Sequence, residues 1–202
     1  MLVPGSRTSG RGSEGVDGRR PATPVQRVVA ILLLGFLMPA LVLLATAVML
    51  DSPGSPFYRQ RRVGLRGREF TLYKLRSMRP GSCHDGRAKS AIDDRITRVG
   101  RFLRISSLDE VPQLWNVVRG EMALVGPRPL LAVDTLDTPE YRRRLDVLPG
   151  MTGLWQVSGR CALGVEAALA LDVQYVEQRS TLLDLRILLR TPAAVLTGKG
   201  AY

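Results

Sequence analysis

Residues 28–50 read VVAILLLGFLMPALVLLATAVML, an apolar run without a charged side chain. As a helix that rises about 1.5 Å per residue, the run would reach about 35 Å, enough to cross the hydrocarbon core of a bilayer. A cleavable signal peptide is the first alternative, but the run is longer than a typical signal core and no obvious A-x-A-like site follows it. The run therefore predicts a membrane segment over residues 25–51.

Basic residues flank this run on both sides. Arg19, Arg20 and Arg27 precede it, and a larger arginine-rich cluster over residues 59–76 follows it. Because basic residues near a membrane segment tend to stay on the cytoplasmic side, a straight crossing would leave one cluster on the wrong side. Pro39, at the middle of the run, removes a backbone hydrogen bond and kinks or breaks a helix. A re-entrant helix fits both observations, and a proline-kinked spanning helix is the alternative.

The segments on either side of the membrane run differ in composition. Residues 1–24 are rich in Gly, Ser, Arg and Pro, so we expect a disordered tail there. Residues 52–202 are long enough for one domain with its own core. The chain has 29 Lys and Arg against 18 Asp and Glu, a net charge of +11. This charge favours a polyanionic partner, which can be nucleic acid, anionic lipid or a phosphorylated substrate.

Residue patterning predicts an α+β domain that is mainly helical and has a small β-hairpin. Two strand-like segments, residues 56–64 and 68–78, are separated by a Gly-Leu-Arg-Gly turn and predict the hairpin. Residues 96–104 predict an amphipathic helix with Ile96, Val99, Phe102 and Leu103 on its apolar face. Such a helix lies on an anionic membrane surface or packs as a solvated helix on the domain.

The C-terminal part of the chain predicts one short strand and two helices. The strand is expected over residues 154–157, between two turns. The helices are expected over residues 165–178 and 180–196, the second starting at a Ser180 cap and interrupted by Pro192. The last helix is apolar enough to lie in the membrane interface.

Residues 106–121 read SSLDEVPQLWNVVRGE and place two carboxylates, Asp109 and Glu110, at the start of a short helix. Residues 111, 114, 115 and 118 recur at helical spacing and are expected to face inward. One interpretation of the acidic pair is a capping box, in which Ser107 and Glu110 satisfy free helix N–H groups. The other is a functional site, since adjacent carboxylates repel and stay ionised only beside cations or a helix N-terminus.

Basic residues around the acidic pair favour a functional site. Arg101 and Arg104 precede the pair, and Arg128 stands in a stiff loop between Pro127 and Pro129. Together with a helix N-terminus, these arginines supply positive potential. A carboxylate pair there suits Mg²⁺, which binds through one or two carboxylates plus substrate phosphates. The pattern predicts a phosphorylated ligand beside a membrane.

The order of several motifs carries a resemblance to a known family. The motifs are SPGSPFYRQRRVG, YKLRSM, ITRVGRFLRISSLDEVPQLWNVVRGEMALVGPRPL, LPGMTGLWQVSGR and LDVQYVEQRSTLLDLRILLRT. From residue 25 to the end, the chain resembles the bacterial sugar transferases known as monotopic polyprenyl-phosphate phosphoglycosyltransferases. The resemblance implies an enzyme of the bacterial inner membrane with its catalytic domain on the cytoplasmic face. It would move a phosphosugar from a nucleotide diphosphate sugar, usually a UDP-sugar and here expected to be a UDP-hexose, to undecaprenyl phosphate and release a nucleoside monophosphate. This step would start exopolysaccharide or glycoconjugate synthesis.

The resemblance also implies roles for individual residues. Asp109 would attack the sugar-bearing phosphate and form a phosphosugar-aspartyl intermediate, while Glu110 and Mg²⁺, held by both carboxylates, assist. Asp172 matches a family acidic position in the substrate site, and a surface charge on a helix is the alternative. Three arginines would neutralise phosphate charge: Arg104, Arg128 and Arg160.

The chain departs from the family at two positions, and two other classes of function are alternatives to an enzyme. Met38 precedes Pro39 where members commonly have Ser, and Trp155 sits one place later than the Trp of many relatives. A non-catalytic membrane-anchored scaffold of a glycan assembly system is one other class. A nucleic-acid binder is disfavoured, because aromatic residues are 5% of the chain and no base-stacking motif is present. A homodimer is left open, since a surface helix and a dimer helix look alike in sequence.

Overall fold

The computed structural model describes residues 23–81, 93–131, 138–159 and 164–197, and its mixed, mainly helical architecture confirms the predicted class. The predicted tail lies almost wholly outside these ranges. The strands are β1 (Phe57–Val63), β2 (Glu69–Leu75), β3 (Ala123–Val125) and β4 (Gly150–Thr152). The helices are α1 (Pro24–Asp51), α2 (Arg98–Ile105), α3 (Leu114–Arg119), α4 (Pro139–Arg144), α5 (Leu154–Ser158), α6 (Val165–Gln178) and α7 (Thr181–Leu196). Two 3₁₀ segments lie at Leu65–Gly67 and Leu108–Gln113.

The apolar run forms helix α1, which begins at a Thr23 cap whose hydroxyl accepts from the Gln26 N–H at 3.4 Å. Among the described residues it is the helix long and apolar enough to cross a membrane, by length and composition. The helix is continuous from Pro24 to Asp51, so Pro39 does not break it. The re-entrant course stays a prediction.

One side of α1 packs on the domain along the length of the helix, and the rest of its surface is apolar and exposed. In its first half, Ala30 belongs to a buried cluster with Leu72, Leu114, Val117 and Met122. In its second half, two further residues are buried against β2 and α2: Leu41 and Val48. The exposed side chains include Phe36, of which 82% is accessible. A surface this apolar is typical of a membrane contact.

The predicted hairpin is confirmed. Strands β1 and β2 pair antiparallel from Phe57 opposite Leu75 to Val63 opposite Glu69, across the 3₁₀ turn. The fully buried Asn116 of α3 holds this hairpin, because its amide oxygen accepts from the Tyr73 N–H at 3.3 Å and its amide nitrogen donates to a β2 carbonyl at 2.7 Å. These bonds fix β2 beside α3 and the 3₁₀ segment that precedes it.

The expected strand over residues 154–157 is wrong. The strand is β4 (Gly150–Thr152), which pairs parallel with β3, while residues 154–158 form helix α5. Gly153 is extended and separates the two elements. Leu154 and Val157, three residues apart, both pack on the core around Val125, as the face of a helix does. A short apolar run has no periodicity that distinguishes strand from helix.

The two closing helices are confirmed, with one correction. Helix α6 has the predicted bounds, and the Ser180 hydroxyl caps α7 by accepting from the Leu183 N–H at 3.2 Å. However, Pro192 does not interrupt α7, which continues to Leu196. Ile187 before the proline is fully buried and Val195 beyond it is half-buried, so packing on both sides sustains the helix.

Trp115, which was expected to face inward, is exposed, and so is Phe102 on the predicted apolar face of α2. Phe102 of α2 is 55% accessible and Trp115 of α3 is 47% accessible, whereas their neighbours Leu103 and Leu114 are buried. Both helices contact α1. The exposed aromatic side chains therefore lie on helices that adjoin the apolar helix rather than inside the core.

Replacing Gly100 with Ala is expected to destabilise the domain. An alanine Cβ there would lie 2.0 Å from the Ser77 carbonyl oxygen, a backbone atom. We expect the free energy of unfolding to fall by about 2 kcal/mol or more, measured as a lower thermal midpoint in detergent. The matched control is Gly35→Ala, where nothing lies within 4 Å of the added Cβ. Equal midpoints for the two variants would contradict this packing.

Candidate active site

The acidic pair lies in the 3₁₀ segment Leu108–Gln113, and the capping-box interpretation is wrong. Ser107 has a left-handed backbone (φ 55°, ψ 17°) and its side chain makes no capping hydrogen bond to the segment. A capping serine needs extended backbone to aim its hydroxyl at the free N–H groups. Glu110 does not reach back to Ser107, because its carboxylate binds cations instead.

Glu110 is held by two basic side chains at one oxygen. Its Oε1 accepts from Lys74 Nζ at 2.6 Å and from Arg128 Nη2 at 2.8 Å. Burial alone would raise the pKa of Glu110, but the charges and hydrogen bonds of Arg128 and Lys74 outweigh burial and hold it well below its ordinary value. Glu110 is therefore a fixed anion that holds Arg128 and Lys74 in place.

Asp109 is in a different state from its neighbour. Its side chain is buried, and it has no hydrogen-bond partner among the described residues. Burial raises the pKa of Asp109 to about 6, with the charge of Lys74 opposing and that of Glu110 adding to the rise. A carboxylate whose lone pairs are not tied up by donors is available to attack an electrophile or to bind a cation. The two adjacent carboxylates thus differ in their environment, and their pKa values shift in opposite directions.

Lys74 is a site residue that the sequence analysis did not identify. It stands on β2 between Tyr73 and Leu75, 36 residues before Glu110, and its side chain is 17% exposed. The only signal for it in the sequence is a lysine inside a strand whose neighbours are apolar. Its partner became evident only when the fold placed β2 against the 3₁₀ segment.

The predicted arginines differ in how they relate to the acidic pair. Arg128 contacts the acidic pair directly, through Glu110. Arg104 lies close enough for its charge to lower the pKa of Asp109, but its Nε donates to the Ser77 hydroxyl at 3.0 Å. Arg160 lies outside the described residues.

Asp172 is buried, so the alternative of a surface charge on a helix is wrong. It is 2% exposed, and its Oδ2 accepts from Arg144 Nη2 at 2.5 Å. Burial raises the pKa of Asp172 to about 6, although the charge and hydrogen bond of Arg144 lower it. No hydrogen bond joins Asp172 to Asp109 or Glu110 in the described part of the chain. It stands behind the site, next to Arg144.

The buried Asp172 is expected to make stability depend on pH. The pKa of Asp172 in the folded protein, about 6, exceeds the ordinary 3.8. At a pH between these two values, the folded chain therefore holds a proton on Asp172 that the unfolded chain has released. The contribution of this group to stability therefore falls as pH rises from 4 to 6, by up to about 3 kcal/mol. The measurement is the thermal midpoint in detergent across this range, for wild type and Asp172→Asn. Parallel pH curves for the two proteins would contradict the assignment.

The acidic pair can hold a divalent cation only with help from a ligand. Within the described residues, no group of three or more His, Cys, Asp or Glu side chains forms a cage. Three oxygens are nevertheless suited to a cation: both oxygens of the Asp109 carboxylate, and the second oxygen of Glu110, which has no described partner. This donor set fits Mg²⁺, which takes one or two carboxylates and completes its shell with water and substrate phosphates.

A helix long and apolar enough to cross a membrane thus lies beside a carboxylate pair surrounded by basic side chains, an arrangement suited to an anionic ligand. The family model for bacterial sugar transferases matches residues 22–198. The chain belongs to the bacterial sugar transferase family, which confirms the predicted family and enzyme class.

Three relatives show how much of the chain is shared. The UDP-glucose:undecaprenyl-phosphate glucose-1-phosphate transferase of Caulobacter vibrioides is 43% identical over 93% of this chain and 73% of that protein. The UDP-galactose-lipid carrier transferase of Erwinia amylovora is 43% identical over 87% of this chain, but only 40% of its own length is covered. The exopolysaccharide production protein ExoY of Sinorhizobium fredii is 38% identical, over 87% of this chain and 85% of that protein.

Proposed function

We propose that this protein transfers a sugar phosphate from a nucleotide diphosphate sugar, a UDP-hexose, to undecaprenyl phosphate and thereby starts the synthesis of an exopolysaccharide or glycoconjugate. The observation that carries the proposal is the contrast within the acidic pair: Glu110 is held by two basic side chains, whereas Asp109 accepts no hydrogen bond from the described residues. The printed names of the relatives support the substrate classes.

In the first step, an oxygen of Asp109 attacks the sugar-bearing phosphorus of the donor. The bond from this phosphorus to the bridging oxygen breaks, and the nucleoside monophosphate leaves with that oxygen and its electron pair. A phosphosugar-aspartyl intermediate remains on the protein. Lys74 and Arg128, both held by Glu110, offer positive charge to the phosphate oxygens during this step.

In the second step, a phosphate oxygen of undecaprenyl phosphate attacks the same phosphorus. The aspartyl oxygen–phosphorus bond breaks, Asp109 returns to its carboxylate, and the product is an undecaprenyl-diphosphate sugar. Two covalent steps let the soluble donor leave before the lipid acceptor enters. This arrangement suits both steps, since Asp109 accepts no hydrogen bond from the described residues that would have to break when it attacks or leaves.

Mg²⁺ is the proposed cofactor, held by Asp109 and Glu110 together with the donor phosphates. When bound, it would neutralise charge on the phosphates and on the leaving nucleotide. Chelation with EDTA is expected to abolish nucleotide release, and excess Mg²⁺ to restore it. Full activity after exhaustive chelation would remove Mg²⁺ from the proposal and leave Lys74 and Arg128 as the source of positive charge.

The contacts of α1 support a re-entrant course in the bacterial inner membrane. Near its start, Gln26 Oε1 accepts from the Leu124 N–H at 3.3 Å, and at its end Asp51 Oδ2 accepts from the Val99 N–H at 2.8 Å. A straight spanning helix has its ends on opposite sides of a bilayer, whereas here one domain binds both ends. The basic flanks favour the cytoplasmic face for that domain, and Pro39 would lie near the deepest point of the helix.

Helix α2 exposes side chains that are suited to anionic lipid. Phe102 and Ile105 are 55% and 43% exposed, and Arg98 and Arg101 on the same helix are exposed as well. Apolar and basic side chains together on one exposed helix are typical of binding at a membrane surface.

The reaction is tested by incubating membranes that contain the protein with Mg²⁺, undecaprenyl phosphate and a panel of UDP-sugars. Release of UMP from one donor identifies both the reaction and the sugar. A folded protein that releases UMP from none of them would contradict the proposal and favour the scaffold alternative.

The course of α1 is tested with single cysteines in a variant that lacks Cys83 and Cys161. A cysteine at Val25, which is 70% exposed, and one at Ser55 mark the two ends of the helix. In intact spheroplasts, neither is expected to react with a membrane-impermeant maleimide, and both should react after lysis. Labelling of the Val25→Cys protein in intact spheroplasts would show a spanning helix instead.

A further inference from the structure

The loop over residues 126–130, GPRPL, is held at every carbonyl from Pro127 to Leu130. Its two prolines have no N–H, so the loop cannot build a regular ladder of its own. Two of its carbonyls accept from backbone: Pro127 from the Gly150 N–H at 2.9 Å and Leu130 from the Val63 N–H at 3.1 Å. The carbonyls of Arg128 and Pro129 accept from arginine side chains instead. The position of the loop therefore depends on those side chains.

Arg144 is the arginine that holds the centre of the loop. Its Nη2 donates to the Arg128 carbonyl at 2.5 Å and to Asp172 Oδ2 at 2.5 Å. Arg144 is 4% exposed and Asp172 is 2% exposed, so neither is a solvated surface group. Arg128 then reaches Glu110 Oε1 at 2.8 Å. A continuous series of contacts thus connects Asp172 on α6 to the acidic pair.

The buried pair of Arg144 and Asp172 is not needed merely to hold α4 against α6. Arg143 of α4 and Glu177 of α6 already form an ion pair between the same two helices, at the surface. A buried charge pair is also a poor source of stability compared with apolar side chains of similar volume. What Arg144 adds, and Arg143 does not, is the hydrogen bond to the Arg128 carbonyl.

We propose that Arg144 is a positioning residue for sugar-phosphate transfer. Asp172 anchors Arg144, and Arg144 in turn aims the Arg128 guanidinium at Glu110 and the substrate phosphates. The inference rests on the proposed function. It also gives Asp172 a role that differs from direct contact with phosphate. Lysine cannot replace Arg144 in this role, because an ammonium lacks the rigid planar fork that fixes the direction of each hydrogen bond.

The test is a double-mutant cycle on the rate of nucleoside monophosphate release, with rates normalised to folded protein. In the wild-type background, Arg144→Lys is expected to lower the rate by about 10–100-fold, because small displacements of a positioned group have such effects. In the Arg128→Ala background, the same change is expected to lower the remaining rate by less than about twofold, since no guanidinium is left to aim. Arg143→Lys, on the same helix, is the control and should stay within about twofold of wild type.

The outcomes separate the proposals. Equal fold losses from Arg144→Lys in the two backgrounds would overturn the positioning role and leave the proposed function intact. If Arg144→Lys does not fold, Asp172→Asn takes its place in the cycle, because it removes the anchor and keeps the side-chain shape. A wild-type protein that releases no nucleotide would overturn the proposed function, and the positioning role with it.

Discussion

The Asp109→Asn protein is expected to lose at least about a thousandfold of its nucleotide-release rate, because an amide cannot act as the nucleophile. Its thermal midpoint is expected to be unchanged or higher. Burial raises the pKa of Asp109 to about 6, which means that the folded protein holds this charge at a cost that asparagine removes. Activity is read as UMP release and stability as the thermal midpoint in detergent.

Asp146→Asn is the matched control, since Asp146 is an exposed aspartate of the same domain. This variant should retain the activity and the midpoint of the wild type. A folded Asp109→Asn protein with wild-type activity would contradict the assigned nucleophile. A lower midpoint that accounts for the whole loss of activity would assign Asp109 a structural role instead.

Glu110→Gln is expected to reduce both activity and stability, unlike the change at Asp109. Its carboxylate holds Lys74 and Arg128, at 2.6 Å and 2.8 Å, and glutamine would leave two neighbouring cations without their anion. We expect the free energy of unfolding to fall by about 2–3 kcal/mol. The rate should fall by about a hundredfold or more, because basic side chains that are no longer fixed stabilise a transition state poorly.

The control for this variant is Glu69→Gln, which removes the exposed ion pair with Arg61 at 3.0 Å and should change neither quantity measurably. The two measurements together distinguish the carboxylates. If Glu110→Gln lowered activity without lowering the thermal midpoint, Glu110 would act on the substrate or a metal rather than as an anchor for basic side chains.

Local patterns were sufficient to predict several elements of the fold. The hairpin, helix α6 and the capped start of α7 each depend on residues close together in sequence, such as Ser180 and Leu183. Strand β4 and helix α5 were not predicted correctly, because the strand depends on parallel pairing with β3. In that pairing Gly150 lies opposite Ala123, which is 27 residues earlier in the chain. Pairing across such a distance leaves no local pattern.

The candidate site shows the same division between local and distant contacts. Asp109, Glu110 and Arg128 stand out in the sequence because unusual residues cluster there, namely adjacent acids and an arginine between prolines. Lys74 and Arg144 were missed, since their partners lie 36 and 28 residues away. A basic residue in a basic chain gives no indication of which carboxylate it will meet.

The covalent role of Asp109 is tested most directly by the intact mass of the protein, quenched rapidly after mixing with donor sugar and Mg²⁺ in the absence of the lipid acceptor. We expect a mass gain of one glycosyl phosphate on the peptide that contains Asp109. The gain should be absent from Asp109→Asn and should disappear when undecaprenyl phosphate is added. UMP release that strictly requires the lipid, with no adduct on the protein, would show a direct transfer and contradict the role assigned to Asp109.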